Sequence, residues 1–174
     1  MERATADQLE ALHPDAFGWA LHCCAGDHAR AEDVLQNAYL KLAQQRTLHD
    51  GRSSFKTWWF GVIRLTAYEE FRRLRYRESL LGRLLLHFGA AEQDPSPSPA
   101  RKMELDERTA ELRRCLAQLP ARQAEVLHLV FYQDLTLNEA AEVLRVSLGS
   151  VRQHYERGKA RLRSLLQPDP IHET

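Results

Sequence analysis

The chain has 174 residues, enough for one or two compact domains. Hydrophobic residues make up 44% of it and charged residues 28%, a mixture that excludes a disordered chain. Because the formal net charge is zero, a uniformly basic protein is also excluded, and any surface for nucleic acid has to come from the local arrangement of charge.

The charges are segregated along the sequence. Acidic side chains dominate the first 33 residues, whereas two later stretches are basic: Arg72, Arg73, Arg75 and Arg77, then Arg152, Arg157, Lys159, Arg161 and Arg163. Taken alone, charge runs of this kind are typical of solvated helix faces.

The cysteines argue against a disulfide framework or a zinc site. Cys23, Cys24 and Cys115 are odd in number and lack CxxC spacing. Buried small side chains are the favoured interpretation, with a metal or redox sensor beside His22 as the alternative. No secretory signal or membrane-length apolar run is visible, so we expect a cytoplasmic protein.

Two helices are predicted in the first half from apolar residues at three-to-four spacing. One stripe crosses residues 34–42, and the other crosses residues 55–66 and continues towards Arg77. Trp58 is expected to lie in the core. Residues 46–54 between the helices carry Asp-Gly and serine turn chemistry, and Ser53 or Ser54 is expected to cap the second helix.

A proline-rich segment predicts a domain boundary. The three prolines in residues 95–99 remove amide donors and restrict their predecessors, which predicts an extended linker. The apolar residues 80–88 either complete the first core or contact a partner. The predicted fold is all-α, with two small helical domains, residues 1–90 and 105–174, joined by a Pro/Ser-rich linker at 91–104.

The C-terminal domain is predicted to contain a helix-turn-helix. Leucines between residues 105 and 119 mark a helix that stops at Pro120, and another helix follows over residues 122–132. Thr136 and Glu139 then form a capping box for a short helix, whose packing face holds Ala140, Ala141, Val143 and Leu144.

After this short helix the sequence predicts a tight turn and a long basic helix. The turn is Arg145-Val146-Ser147, in which Ser147 caps a helix from Leu148 to about Leu166. In a helix-turn-helix, this second helix enters the major groove, where glutamine can pair with adenine and arginine with guanine. The alternative is an ordinary helical hairpin with a charged face, but the combination of cap, turn and basic helix favours DNA binding.

The sequence does not indicate an enzyme. Its eight histidines show no HExxH spacing, and neither a Gly-rich phosphate loop nor an identifiable nucleophile is present. We therefore predict no catalytic residue, no metal site and no cofactor.

Five segments resemble conserved motifs of the sigma-70 family. Residues 31–37 (AEDVLQN) resemble the region 2.2 helix, and residues 51–58 (GRSSFKTW) resemble the entry to regions 2.3 and 2.4. Residues 119–127 are similar to the opening of region 4, and residues 139–144 and 146–152 to its helix-turn-helix. Because the order and the linker position also agree, the sequence resembles the extracytoplasmic-function (ECF) group, which keeps only the second and fourth regions.

The resemblance implies a sigma factor that binds core RNA polymerase and directs promoter recognition and DNA melting. The implied partners are the β′ clamp helices and β flap of the polymerase, promoter DNA and an anti-sigma factor. Contacts to the polymerase are expected from Asp33, Gln36, Asn37 and Leu40. Contacts to the minus-10 element are expected from His49, Arg52, Ser53, Lys56, Trp59, Arg64, Arg72 and Arg73. Contacts to the minus-35 element are expected from Ser147, Ser150, Arg152, Gln153, His154, Arg157 and Lys159.

The chain departs from the family pattern at five positions. Asn37 replaces a common acidic residue, and Leu65 stands where asparagine is usual. Arg145 occupies a turn position that often holds glycine and favours a left-handed backbone, so the alternatives are a strained backbone at Arg145 or a different turn. His154 and Glu156 are unusual in the recognition helix, and Glu156 is expected to face away from phosphate. A stand-alone helix-turn-helix regulator and a sigma-like decoy for an anti-sigma factor remain the alternative functions.

Overall fold

The computed structural model describes residues 3–88 and 114–166, and their side chains over 6–76 and 114–166. Regular structure in these ranges is helical, which confirms the all-α prediction. The helices are α1 (Arg3–Cys23), α2 (His28–Ala43), α3 (Phe55–Phe88), α4 (Ala121–Phe131), α5 (Leu137–Leu144) and α6 (Leu148–Leu166).

The packing divides the described chain into two compact units. The first contains residues up to 52 together with α3 from Trp59 onward, and the second contains α4 to α6 together with residues 53–58. The predicted linker, the side chains of the apolar segment 80–88 and most of the helix predicted before Pro120 lie outside the described residues. Residues 114–117 of that helix are described and are helical.

The core of the first unit is built around Trp19 of α1, a helix that the sequence patterns did not single out. The Trp19 side chain is fully buried, and its Nε1 donates a hydrogen bond of 3.0 Å to the carbonyl oxygen of Phe60. The two rings also stack, with centroids 6.2 Å apart. On α2, Val34, Leu35 and Ala38 are buried, which confirms the first predicted stripe.

The buried face of α3 contains only part of the predicted stripe, namely Trp59, Val62 and Thr66. Trp58 is only half-buried, whereas Trp59 has 0% of its surface exposed and packs against Tyr39 with ring centroids 5.1 Å apart. Leu65, which was expected inside, is 41% exposed. The prediction that Trp58 lies in the core is wrong, because this side chain is only half-buried. The prediction that Trp59 contacts DNA is also wrong, because the core of the first unit encloses its indole.

The second unit packs α4 closely against α6. Val126, Leu127 and Leu129 of α4 are buried, and Gly158 of α6 faces Leu127. A Cβ atom added to Gly158 would lie 3.1 Å from Leu127 Cδ1, tighter than an ordinary van der Waals contact. Glycine is therefore needed here because two helix backbones approach each other closely.

Cys24 has the environment of a structural residue. It is almost fully buried, and burial, followed by the negative charge of Asp27, raises the pKa of its thiol to about 11. A thiol that stays protonated at neutral pH is a poor nucleophile and a poor metal ligand. Among the described residues, no helix is long and apolar enough to span a membrane.

Candidate nucleic-acid interface

A reciprocal capping box starts α5. The amide of Glu139 donates to Thr136 Oγ1 at 3.2 Å, and the amide of Thr136 donates to Glu139 Oε2 at 2.9 Å. These bonds confirm the predicted capping box and satisfy two amide donors that the first turn would otherwise leave without an acceptor. The first helix of the helix-turn-helix therefore has a fixed starting point.

The capping box predicts an acid-sensitive loss of stability. The hydrogen bond from the Thr136 amide lowers the pKa of the Glu139 carboxyl below its ordinary value. The contribution of ionised Glu139 to the free energy of unfolding is therefore complete above the pKa that this residue has in the unfolded chain. It is lost as the pH falls through the lower pKa that Glu139 has in the folded protein. We expect Thr136→Ala to reduce the free energy of unfolding by about 1 kcal/mol at pH 7.

Urea unfolding of wild type and Thr136→Ala at pH 7 and at acidic pH measures both effects. The difference between the two proteins should shrink on the acidic side, because protonated Glu139 is a weaker acceptor. Asn138→Ala, an exposed change in the same turn, is the control. Equal stability of Thr136→Ala and wild type at pH 7 would contradict the assignment.

The turn after α5 has a left-handed backbone, which is one of the two alternatives left open at Arg145. Arg145 has φ 54° and ψ 47°, and its amide donates to the carbonyl of Glu142. Ser147 then caps α6, because its Oγ accepts from the amide of Ser150 at 3.1 Å. The hydroxyls of these two serines also lie 2.9 Å apart, so part of their hydrogen-bonding capacity is already used within the cap.

The N-terminal half of α6 exposes polar side chains that can reach base edges. Arg152, Gln153 and Arg157 are exposed, whereas His154 is half-buried. Glu156 lies three residues after Gln153, and its side chain is 70% exposed. Lys159 pairs with Glu156 at 3.3 Å, which offsets the negative charge on this face.

The residues expected to contact polymerase form one exposed face of α2, with one exception. Asp33, Gln36 and Leu40 are exposed at helical spacing, and Leu40 exposes 52% of its surface. Asn37 is half-buried, and its Nδ2 donates to Glu70 Oε1 at 3.4 Å. The amide of Asn37 therefore links α2 to α3 within the first unit.

The residues expected to contact the minus-10 element differ in exposure. His49, Arg52, Arg72 and Arg73 are exposed, whereas Ser53, Lys56 and Arg64 are half-buried and Trp59 is enclosed in the core. Ser54, rather than Ser53, caps α3, because its Oγ accepts from the amide of Thr57 at 3.1 Å. Trp59 is consequently removed from the candidate DNA contacts.

Three large side chains on α3 are exposed, and none of them is among the residues expected to contact the minus-10 element. Leu65, Tyr68 and Tyr76 expose 41%, 64% and 66% of their surfaces. Apolar spacing alone assigned Leu65 to the core, because aromatic and apolar residues surround the start of this helix. The exposed side is recognised only when the buried face, which includes Trp59 and Ile63, is known.

Two family models match the chain in order. The sigma-70 region 2 model matches residues 9–77, and the sigma-70 region 4 model matches residues 115–164. These spans contain α2 and α3 in one case and the helix-turn-helix in the other.

Similar proteins match the chain over most of its length. The ECF RNA polymerase sigma factor SigX of Bacillus subtilis is 28% identical over 170 residues, which cover 96% of this chain and 86% of SigX. The ECF sigma factor RpoE of Cereibacter sphaeroides is also 28% identical, with 93% of this chain and 86% of RpoE covered.

A solved structure shows the same fold. The sigma factor RpoE from Bartonella quintana, crystallised with the anti-sigma factor NepR, superposes with a TM-score of 0.68 at 23% identity, covering 97% of this chain and 99% of that one. The two matched regions, together with relatives that extend over nearly the whole sequence, show that the chain belongs to the ECF group of the sigma-70 family.

Proposed function

We propose a division of roles within this ECF sigma factor, which directs transcription initiation by core RNA polymerase at promoter DNA. In this proposal α2 binds the polymerase, the loop before α3 and the exposed side of α3 engage the minus-10 element, and α6 contacts the minus-35 element. The observation that carries it is the capped helix-turn-helix, whose second helix exposes Arg152, Gln153 and Arg157 near its N-terminus.

The minus-35 assignment rests on the geometry of α6. Gln153 and Arg157 lie one helical turn apart and are exposed, so they present an amide and a guanidinium on one side of the helix. These are the side chains that pair with adenine and guanine in the major groove. Arg161 lies one further turn along and suits contact with phosphate, which adds affinity without sequence preference.

Replacing Arg157 with alanine is expected to weaken binding to the preferred minus-35 sequence by about 1–3 kcal/mol, because a base contact is lost. Arg161→Ala is the matched comparison. It should weaken binding to all minus-35 sequences equally and reduce the number of ions released on binding by about one. Competition binding with a library of minus-35 sequences separates the two results. Unchanged sequence preference in Arg157→Ala would remove this residue from the base contacts.

The polymerase assignment rests on α2. Its outer face combines the Asp33 carboxylate and the Gln36 amide with the exposed Leu40 side chain. Such a face offers a polar rim around an apolar contact, as protein interfaces commonly do. The acidic first part of the sequence fits a role that does not include binding phosphate.

The minus-10 assignment relies on arginines and the exposed aromatic residues rather than on Trp59. Unstacking a base costs a few kcal/mol, and binding of the unpaired strand offsets this cost without any hydrolysis. We accordingly propose that the protein acts by binding rather than catalysis, in the cytoplasm. We also propose that an anti-sigma factor binds it, since the similar Bartonella quintana sigma factor was crystallised with one.

Run-off transcription tests the function directly. Purified full-length protein, added to core RNA polymerase with a panel of candidate promoters, is expected to give discrete transcripts that neither component gives alone. A stand-alone regulator would bind DNA without associating with core polymerase. A decoy would bind none of the promoters. Absence of polymerase binding by the purified protein would overturn the proposal.

A further inference from the structure

The exposed face of α6 has an acidic side chain near its centre. The helix buries Val151 and Gly158 on one side. Gln153 and Glu156 are exposed on the other side, and because they are three positions apart they are neighbours on the helix surface. The Glu156 side chain is 70% exposed. A carboxylate therefore lies beside Gln153 on the face that the helix-turn-helix presents to DNA.

The residues around this pair suit a helix lying in a major groove. Arg152 and Arg157 lie towards the two edges of the exposed face, since each residue advances the helix by about 100°. An arginine at such an edge is long enough to reach either a phosphate or a base. Gly149 and Ala160 continue the centre of the face by one turn on either side of the pair, and both are exposed. Their small size permits a close approach to the base edges.

The carboxylate of Glu156 is oriented by Lys159. Its Oε1 atom accepts a hydrogen bond of 3.3 Å from Lys159 Nζ. The same ammonium group lies 4.5 Å from the centroid of the Tyr155 ring, and this ring stacks on Phe131 with centroids 5.9 Å apart. The lysine is therefore held by two contacts. The carboxylate keeps capacity for a further donor, because each of its two oxygens has two lone pairs.

An ordinary surface ion pair accounts for the contact between Glu156 and Lys159 but not for its place. A carboxylate on a DNA-facing surface repels phosphate and costs affinity unless a base donates a hydrogen bond to it. In the major groove, guanine presents two acceptors and thymine presents one, whereas adenine presents a donor beside an acceptor. Cytosine presents the N4 amino group, which only donates. Since a carboxylate only accepts, cytosine is the base that it matches.

We propose that Glu156 is a specificity-determining residue that accepts a hydrogen bond from the N4 amino group of a cytosine in the minus-35 element. Lys159 is a positioning residue, which acts by orienting the Glu156 carboxylate. Thymine places its O4 acceptor where cytosine has the amino group, so Glu156 repels thymine at this position. The inference rests on the proposed role of α6 and names a base that this helix selects.

The test uses holoenzymes assembled from core polymerase and the full chain, on a duplex promoter that the wild-type holoenzyme transcribes. The minus-35 element is randomised, and sequencing of bound and unbound DNA gives the base preference at each position. We expect wild type to favour cytosine over thymine at one position by about 5- to 100-fold, the range for loss of a base contact. Glu156→Ala should remove this preference and raise affinity for unrelated DNA, because a charge that repels phosphate is lost. Glu156→Gln should change the preferred base there to adenine.

Matched variants separate base contact from a structural role. Glu142→Ala removes an exposed carboxylate from α5 and should leave the base preference unchanged. Lys159→Met keeps an apolar stem against Tyr155 but removes the ammonium group, so it should reduce the preference for cytosine at the same position. Lys159→Arg keeps the charge and should retain the preference. Because Glu142 and Glu156 are both exposed, their alanine variants should melt at the wild-type temperature.

Three outcomes would overturn the inference and leave the proposed function standing. The first is a Glu156→Ala holoenzyme that keeps the wild-type preference at every position. The second is loss of a preference for a base other than cytosine. The third is loss of preference at all positions together with a lower melting temperature, which would show that Glu156 supports the fold of α6. A wild-type holoenzyme with no preference at any minus-35 position would instead count against the proposed role of α6 itself.

Discussion

Replacement of Trp59 with alanine is expected to destabilise the first unit by about 3–5 kcal/mol, the range found for removal of a large aromatic side chain from a core. Trp59 is fully buried and packs against Tyr39, so the truncation leaves a cavity between α2 and α3. A domain has only about 5–15 kcal/mol of stability, so much of the margin would be lost. Equilibrium unfolding in urea, followed by circular dichroism, measures the change.

Two further variants separate packing from DNA contact at Trp59. Trp59→Phe keeps most of the buried ring and should recover much of the stability. Trp58→Ala removes a half-buried indole and should cost less than Trp59→Ala. A Trp59→Ala protein that unfolds at the wild-type urea concentration, yet binds promoter DNA poorly, would instead support the original assignment of this residue to DNA.

Replacement of Gly158 with leucine is expected to disrupt the second unit by about 3 kcal/mol or more, because overpacking forces helices apart. Even a single added Cβ would meet Leu127 Cδ1 at 3.1 Å and Gln123 Cβ at 3.3 Å. Leucine adds three more carbon atoms at the same place. Separation of α6 from α4 would also displace Gln153 and Arg157, so minus-35 binding should fall together with stability.

The exposed Ala160, two residues along the same helix, provides the control for Gly158. Ala160→Leu introduces the same side chain into solvent and should change stability by no more than about 0.5 kcal/mol. Thermal unfolding and binding to a minus-35 duplex test both proteins. Similar melting temperatures for Gly158→Leu and wild type would show that α4 and α6 do not need their close approach.

The helix-turn-helix was predictable because its determinants are local. Thr136 and Glu139 cap one another within a single turn, and Ser147 caps the helix that begins next to it. Interactions between residues three positions apart depend little on the rest of the chain, so their sequence signal is specific.

The orientation of α3 was not predictable in the same way. Phe55, Trp58, Trp59 and Phe60 place large rings around much of the helix, so spacing alone does not identify the buried side. That side is chosen by contacts distant in sequence, such as the hydrogen bond from Trp19 to Phe60. The error at Trp59 and the failure to recognise the exposed Tyr68 both follow from this single ambiguity.

The pairing of Lys41 with α3 has a mechanical consequence. Its Nζ donates to Glu69 at 2.7 Å and to the Thr66 hydroxyl at 2.9 Å, in a partly buried position. Asn37 lies one turn before Lys41 on α2, and it adds a second polar contact by donating a hydrogen bond to Glu70. Rotation of α2 about its own axis would break these bonds, so we expect α2 and α3 to move together when a partner binds the outer face of α2.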